Sequence, residues 1–437
     1  MMKVAIVGAG WAGLAAAVHA RLAGHDVTMF EMAGSLGGRA RTVHLPEGPS
    51  VDNGQHILIG AYTHTLGLMQ TLGVNLDTAF DRRPLAMVNP QGQGLRLKKG
   101  HPASAFLFAV WSNRSWTVPE RWALCALAAR WALQGFRCPP QQTVADLTRT
   151  LPSTLRDDFI DPLCIAALNT PASQASGVVF LRVLKDALLS GPGASDLLLP
   201  KKGLGALLPE PAQRWLQGNG VVVHTHQRVR ALRAVRANSG STSWQVETSI
   251  DVNSPNTYDH VVLACTANEA SRLTSEINAD WSASAAALRY EPIVTVTLQC
   301  PGTRLPEPML TLDSDSTERP AQFVFDLGPL GGTMGELSFV ISGAAPWVER
   351  GVAATEAAVL NQAKNALKSF LVEAPMLVRC LTEKRATFRC TPGLQRPASS
   401  IAPGLWAAAD YVQGPYPATL EGAVRSAVDV VHQWSSR

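Results

Sequence analysis

Lys3-Val4-Ala5-Ile6-Val7-Gly8-Ala9-Gly10-Trp11-Ala12-Gly13 is the stretch on which the reading of the chain turns. Lys3 to Val7 has the length and apolarity of a buried strand, and G-x-G-x-x-G follows at once. Ala12 to Ala23 reads as a helix with Leu14, Ala15, Val18 and Leu22 on one face; Asp26 to Phe30 reads as a second strand, ending at Glu31. Strand, glycine turn, helix, strand and terminal acid are the context in which this motif binds a dinucleotide. Gly8 permits the tight turn, Gly10 lets a pyrophosphate approach the backbone, and Gly13 lets helix and strand pack closely. The helix start offers free N–H groups and partial positive charge to the phosphates. Glu31 suits both hydroxyls of an adenosine ribose and would repel a 2′-phosphate, which disfavours NADP. A glycine turn that binds nothing is the weaker alternative.

Working outward, Gly37-Gly38-Arg39-Ala40-Arg41 adds a second glycine pair and two arginines. Arginines there suit bidentate recognition of pyrophosphate oxygens. The pattern resembles the FAD-binding segment of the amine oxidase and phytoene desaturase superfamily more than an NAD dehydrogenase. At the other end, Gly404 to Asp410 reads as a strand ending in an acid, and Ala418 opens a helix running to about Trp434. Such an acid can bond a ribityl hydroxyl, and the helix N-terminus can stabilise negative charge on a reduced flavin.

The chain has 437 residues, enough for two domains. Apolar residues make up 46% and charged residues 16%, and the net charge of +4 is too small to argue for nucleic acid. Seven scattered cysteines show no metal spacing, so reduced thiols and no metal are expected. The first strand begins at residue 3, which leaves no room for a signal peptide. No uncharged apolar run reaches the roughly 18 residues of a spanning helix. The expected location is cytoplasmic.

Between the two ends, Tyr62 to Leu72 reads as a helix, and Leu85 to Val88 with Leu95 to Leu97 as a hairpin. Phe106 to Trp116 and Trp122 to Phe136 are apolar and aromatic. Their commoner meaning is an ordinary helical core; the alternative is that Trp111, Trp116, Trp122 and Trp131 form a rim at a lipid interface. Leu151 to Leu168 and Phe180 to Leu189 continue the helical region, and Leu204 to Leu216 reads as one helix. His260 to Cys265 is a buried strand. Ile293 to Leu298, Met309 to Leu312, Gln322 to Asp326 and Glu336 to Ser342 read as strands, Ala354 to Phe370 as a helix, and Arg385 to Phe388 as a return segment. The fold class expected is α/β: a Rossmann-type FAD-binding domain (1–80, 200–275 and 390–437) with an interleaved α+β substrate domain (81–199 and 276–389).

Three further runs sharpen the resemblance: Asp52-Asn53-Gly54-Gln55-His56, Ala166-Ala167-Leu168-Asn169-Thr170-Pro171, and Pro417-Ala418-Thr419-Leu420-Glu421-Gly422-Ala423-Val424-Arg425-Ser426. With them the chain resembles the hydroxysqualene dehydroxylases, the squalene-associated FAD-dependent desaturases, over essentially its whole length. The resemblance implies noncovalent FAD and reductive removal of an allylic hydroxyl from a C30 isoprenoid. It leaves the electron donor unidentified and makes peripheral contact with the inner face of the cytoplasmic membrane one expectation. A desaturase or oxidase of a carotenoid precursor or amine on the same scaffold is the alternative. An amine oxidase would favour an aromatic cage at the flavin and often a lysine-bound water. A flavin-binding or lipid-carrier protein without turnover is a more distant rival.

The cofactor contacts implied are Gly8, Gly10, Trp11, Ala12, Gly13, Glu31, Gly38, Arg39, Arg41, Gly54, Gln55, the backbone of Val229 at the adenine, Asp410, Ala418, Thr419 and Leu420. One departure is Ala409, where the superfamily usually has Gly; its methyl could crowd the ribityl chain. Hydroxide is a poor leaving group, so a general acid is needed. His56 is expected as that donor or as the holder of an ordered water, with Asp52 orienting the loop; the alternative is that both only hold the loop against the cofactor.

Overall fold

The computed structural model describes residues 1–43, 50–236, 242–250 and 257–435. Its six-stranded sheet has the order Val222–His224, Asp26–Phe30, Lys3–Val7, His260–Leu263, Leu405–Ala407, Ser400–Ala402. The first five strands run parallel and the last antiparallel. Val4 to Val7 and Val261 to Leu263 are buried, as expected of strands covered on both faces. The Trp11–Leu22 helix packs against the Leu420–Ser435 and Pro209–Gly218 helices. Leu14, Val18, Met29, Val424 and Val431 meet in that core.

A second sheet is antiparallel, in the order Met309–Thr311, Phe323–Asp326, Glu336–Ile341, Tyr290–Gln299, Met376–Phe388. The Val352–Ala366 helix packs on it, with Val359 in one core with Val296, Leu298 and Phe339. Helices Pro102–Ser112, Val118–Leu133, Val144–Thr148, Asp161–Leu168 and Gly177–Leu189 form a third group, whose core includes Trp116, Leu124, Trp131, Phe159 and Phe180. The chain is thus α/β with a Rossmann-type parallel sheet and an interleaved α+β part.

Several expectations are corrected. The segment from Leu204 to Leu216 is two helices, Leu204–Leu207 and Pro209–Gly218, broken at Leu208 with φ −143°. Pro209 removes a backbone donor and disfavours helical geometry in the residue before it. Leu151 to Leu168 is not uniform either: the turn Arg156–Ile160 is π-helical. Arg385 to Phe388 is the end of a 13-residue strand, Met376–Phe388, which pairs along Tyr290–Gln299. The four tryptophans do not share a rim: Trp116 and Trp131 are buried and only Trp111 and Trp122 face outward.

Candidate active site

A cavity of about 530 Å³ runs from Glu31 at the end of the second strand, past Gly10 and Gly38, to His56, Asn169, Thr295 and Leu420. Its shape follows from backbone close packing. Gly8 sits at φ +103°, and a Cβ there would lie 2.6 Å from the Ala264 carbonyl oxygen; a Cβ on Gly13 would lie 1.9 Å from the Gly8 oxygen. Only glycine serves at either point. The turn is stitched to the next loop by a Gly37 N–H to Ala9 carbonyl bond of 2.8 Å and a Gly10–Gly37 bridge. A Cβ on Gly10, by contrast, would meet nothing nearer than 3.9 Å. That unfilled cradle lies at the start of the Trp11–Leu22 helix, where Gly10 supplies no side-chain cap. An anionic pyrophosphate fits both the space and the helix end.

Glu31 is buried, and its carboxylate accepts from Ala9 N–H at 2.7 Å and Ala33 N–H at 2.8 Å. It is thereby held at the cavity edge where a ribose would lie. Phe30 stacks on His224 at 5.4 Å beside it. Val229 lines this end, and its carbonyl already accepts from Arg272 at 2.8 Å. Cys265 also lies here, but burial pushes its thiol up to about 12, so it is not a thiolate poised for covalent linkage. Trp11 donates its indole N–H to the Ala40 carbonyl at 2.7 Å, fixing the arginine loop.

Arg41 lines the cavity as expected, whereas the Arg39 guanidinium is already engaged. It donates to Asp410 at 2.6 Å and to the Ala386 carbonyl at 2.9 Å. Burial works against the charge on Arg39, but the Asp410 carboxylate beside it raises its pKa overall. Sequence reading treated these two residues as separate ligands; the structure makes them one ion pair joining the first and last segments. Ala409 is buried and outside the left-handed region, so its methyl group imposes no backbone strain.

The helix Leu420–Ser435 starts at the cavity, lined by Ala418, Thr419 and Leu420. Thr419 Oγ1 caps it, accepting from Gly422 N–H at 2.9 Å. Fully buried Glu421 accepts from Thr65 N–H at 2.9 Å, Thr65 Oγ1 at 2.7 Å, His64 N–H at 3.1 Å and Arg425 Nε at 2.7 Å. One carboxylate therefore caps the Thr63–Thr71 helix and anchors the last helix. It stood unassigned in the Pro417 to Ser426 run; an acid at a core-facing position of an apolar helix is the signal that could have found it.

Gly54, Gln55 and His56 line the other end of the cavity. His56 Nδ1 lies 3.0 Å from the Gly54 carbonyl oxygen. A carbonyl only accepts, so Nδ1 carries the proton and Nε2 is the free acceptor of the neutral ring. Burial holds the His56 pKa below its ordinary value, opposed by the Gly54 carbonyl and Asp52. Asp52 is not among the lining residues. Its carboxylate accepts from Thr42 Oγ1 at 2.6 Å and Leu204 N–H at 2.9 Å, and burial raises its pKa. Asp52, expected to orient this loop, ties it to Thr42 and to the start of the Leu204–Leu207 helix from outside the cavity. Asn169, at φ +47°, joins the substrate-side elements: it accepts from Gly343 N–H at 2.7 Å and donates to Thr387 Oγ1 at 2.9 Å. Glu383, also unassigned from sequence, accepts from Asn53 at 3.2 Å and Arg385 N–H at 3.0 Å. Ile293, Thr295 and Leu381 complete this end, and no described lining residue is a lysine.

The family model for flavin containing amine oxidoreductases matches residues 11–433. The chain belongs to that family. As a flavin amine oxidoreductase it is an FAD-dependent oxidoreductase, and the cradle described above fits that cofactor. It is 28% identical over 452 residues to a hydroxysqualene dehydroxylase of Rhodopseudomonas palustris, covering 97% of this chain and 96% of that protein. A zeta-carotene desaturase of Synechocystis sp. is 34% identical over 92 residues, 21% of this chain and 19% of that one. An oxidoreductase from Methanosarcina mazei shares the fold, with a TM-score of 0.73 and 17% identity over 98% of this chain and 99% of that chain.

Proposed function

We propose that this flavin amine oxidoreductase removes the allylic hydroxyl of hydroxysqualene reductively, giving squalene. The observation that carries the reading is the end-to-end similarity to a hydroxysqualene dehydroxylase, against a carotenoid desaturase match confined to about a fifth of the chain. The site supports it chemically. Among the described lining residues there is no lysine and no ring besides Trp11, Phe30, His56 and Tyr62, which does not favour amine oxidation.

Segments 1–80, 200–275 and 390–437 would carry FAD and the remainder the isoprenoid. Glu31 would hold the adenosine ribose, the Gly10–Gly38 cradle and Arg41 the pyrophosphate, and the Arg39–Asp410 pair the ribityl side. The chemistry that FAD supplies when bound and reduced is two-electron transfer as hydride. A hydroxyl replaced by hydride leaves as water and consumes one proton. His56, neutral and with Nε2 free, orients a water that relays this proton, and Asp52 keeps the His56 loop in place. The positive end of the Leu420–Ser435 helix favours negative charge at the opposite wall. Ile293, Leu381 and the end of the Asp161–Leu168 helix would flank the reacting carbon. Mixing hydroxysqualene with anaerobically reduced protein, and a carotenoid precursor with oxidised protein, separates the two readings. Flavin reoxidation by hydroxysqualene alone is expected; reduction of oxidised protein by the carotenoid precursor would reverse the assignment.

A further inference from the structure

The positive charge of this protein is concentrated in one segment of the sequence, although Arg96 within it is paired with Glu307. Residues 96–137 contain seven arginines and lysines and a single acid, Glu120, whereas the whole chain has a net charge of only +4. The rest of the chain is therefore net negative. Glu120 is occupied in the cap of its own helix, accepting from Thr117 N–H at 2.7 Å. The same segment exposes large apolar side chains on two consecutive helices: Phe108 at 49%, Trp111 at 40% and Trp122 at 61%, with Leu107 and Val118 also outward. The Trp111 and Trp122 rings meet edge to face at 5.2 Å. Lys98 lies 4.0 Å over the Phe108 ring, placing a cation at the border of the apolar patch. Directly after Trp111, a polar recess of about 430 Å³ is lined by Arg96, Ser112, Asn113, Arg114 and Ser115.

We infer that this face docks the protein onto an anionic membrane surface. The aromatic pair enters the interface while Lys98, Lys99 and Arg114 meet lipid phosphates. Exposed aromatics bordered by cations are what an interfacial helix needs, and each Lys or Arg near an anionic surface contributes about fivefold to binding. No helix among the described residues is long and apolar enough to cross a membrane, so the contact is peripheral at this face. A second copy of the chain is disfavoured as the occupant, because a symmetric contact would bring like charges together.

The inference is independent of the substrate. The test is vesicle sedimentation of the FAD-loaded protein with phosphatidylcholine alone and with added phosphatidylglycerol. Binding to the anionic vesicles, weakened by salt and accompanied by a blue shift of tryptophan emission, is expected. Lys99→Glu with Arg114→Glu should weaken binding about 25-fold or more. Trp111→Ser with Trp122→Ser should abolish the emission shift; FAD absorbance and melting temperature confirm that both variants are folded. Equal partition of wild type and both variants would overturn the inference. So would a dimer in light scattering that the tryptophan variant dissociates.

Discussion

Glu421→Ala removes the one carboxylate that ties the last helix to the Thr63–Thr71 helix. Glu421 is fully buried and accepts four hydrogen bonds of 2.7–3.1 Å. The variant leaves two backbone N–H groups, one hydroxyl and the Arg425 Nε–H without their acceptor, the guanidinium keeping Thr63 Oγ1 at 3.3 Å. Breaking one partner of a buried charge pair costs about 3–5 kcal/mol. Unfolding entropy is about 2.1 cal/mol/K per residue, so for a chain this long each kcal/mol moves the melting temperature by about 1 °C. A fall of about 3–6 °C is expected in a fluorescence or calorimetric melt. Arg425→Ala in the same chain should recover part of it, since part of the cost is the stranded guanidinium. The helix start at Thr419 and Leu420 lines the cavity, so bound FAD should fall as well. A variant melting within about 1 °C of wild type with full FAD would refute this placement of Glu421.

Gly10→Val should fold but purify colourless, because its side chain projects into the open cradle, whereas Gly13→Ala should fail to fold, since its Cβ would lie 1.9 Å from the Gly8 oxygen; full FAD occupancy in Gly10→Val would sink the cofactor assignment. His56→Ala should slow single-turnover flavin reoxidation by roughly a hundredfold, while Asp52→Asn, which keeps an acceptor for Thr42 and Leu204, should stay within about threefold at normal FAD content; the reverse order would exchange their roles. His19, His25, His56 and His260 all have pKa values below the ordinary 6.5. The unfolded chain therefore binds more protons in the window from 6.5 down to their folded values, so stability is full above that window and falls as pH falls through it. A urea midpoint that rises between pH 7 and pH 5 would contradict this.

The parts legible in the sequence are those where backbone geometry leaves little choice. Gly8 and Gly13 could be read because a single carbon atom would collide there, and Glu31 because it ends the strand beside them. Non-local partners could not be read. Arg39 looks like a free phosphate ligand until Asp410, 371 residues away, appears 2.6 Å from it. Asp52 can be read beside His56 as orienting the loop, but not the partners through which it does so, Thr42 and Leu204 N–H. Met376–Phe388 lacks clean alternation and is mostly half-exposed; pairing with Tyr290–Gln299 makes it a strand. Periodicity placed the tryptophans on helices but could not tell buried Trp131 from exposed Trp122.

The central claim is tested most directly by product analysis after a single anaerobic turnover. Protein reduced in deuterated buffer is mixed with hydroxysqualene and the lipid extract is examined by mass spectrometry. One squalene per flavin reoxidised, with deuterium at the carbon that carried the hydroxyl, is the predicted result. Unchanged hydroxysqualene with the flavin still reduced would contradict it.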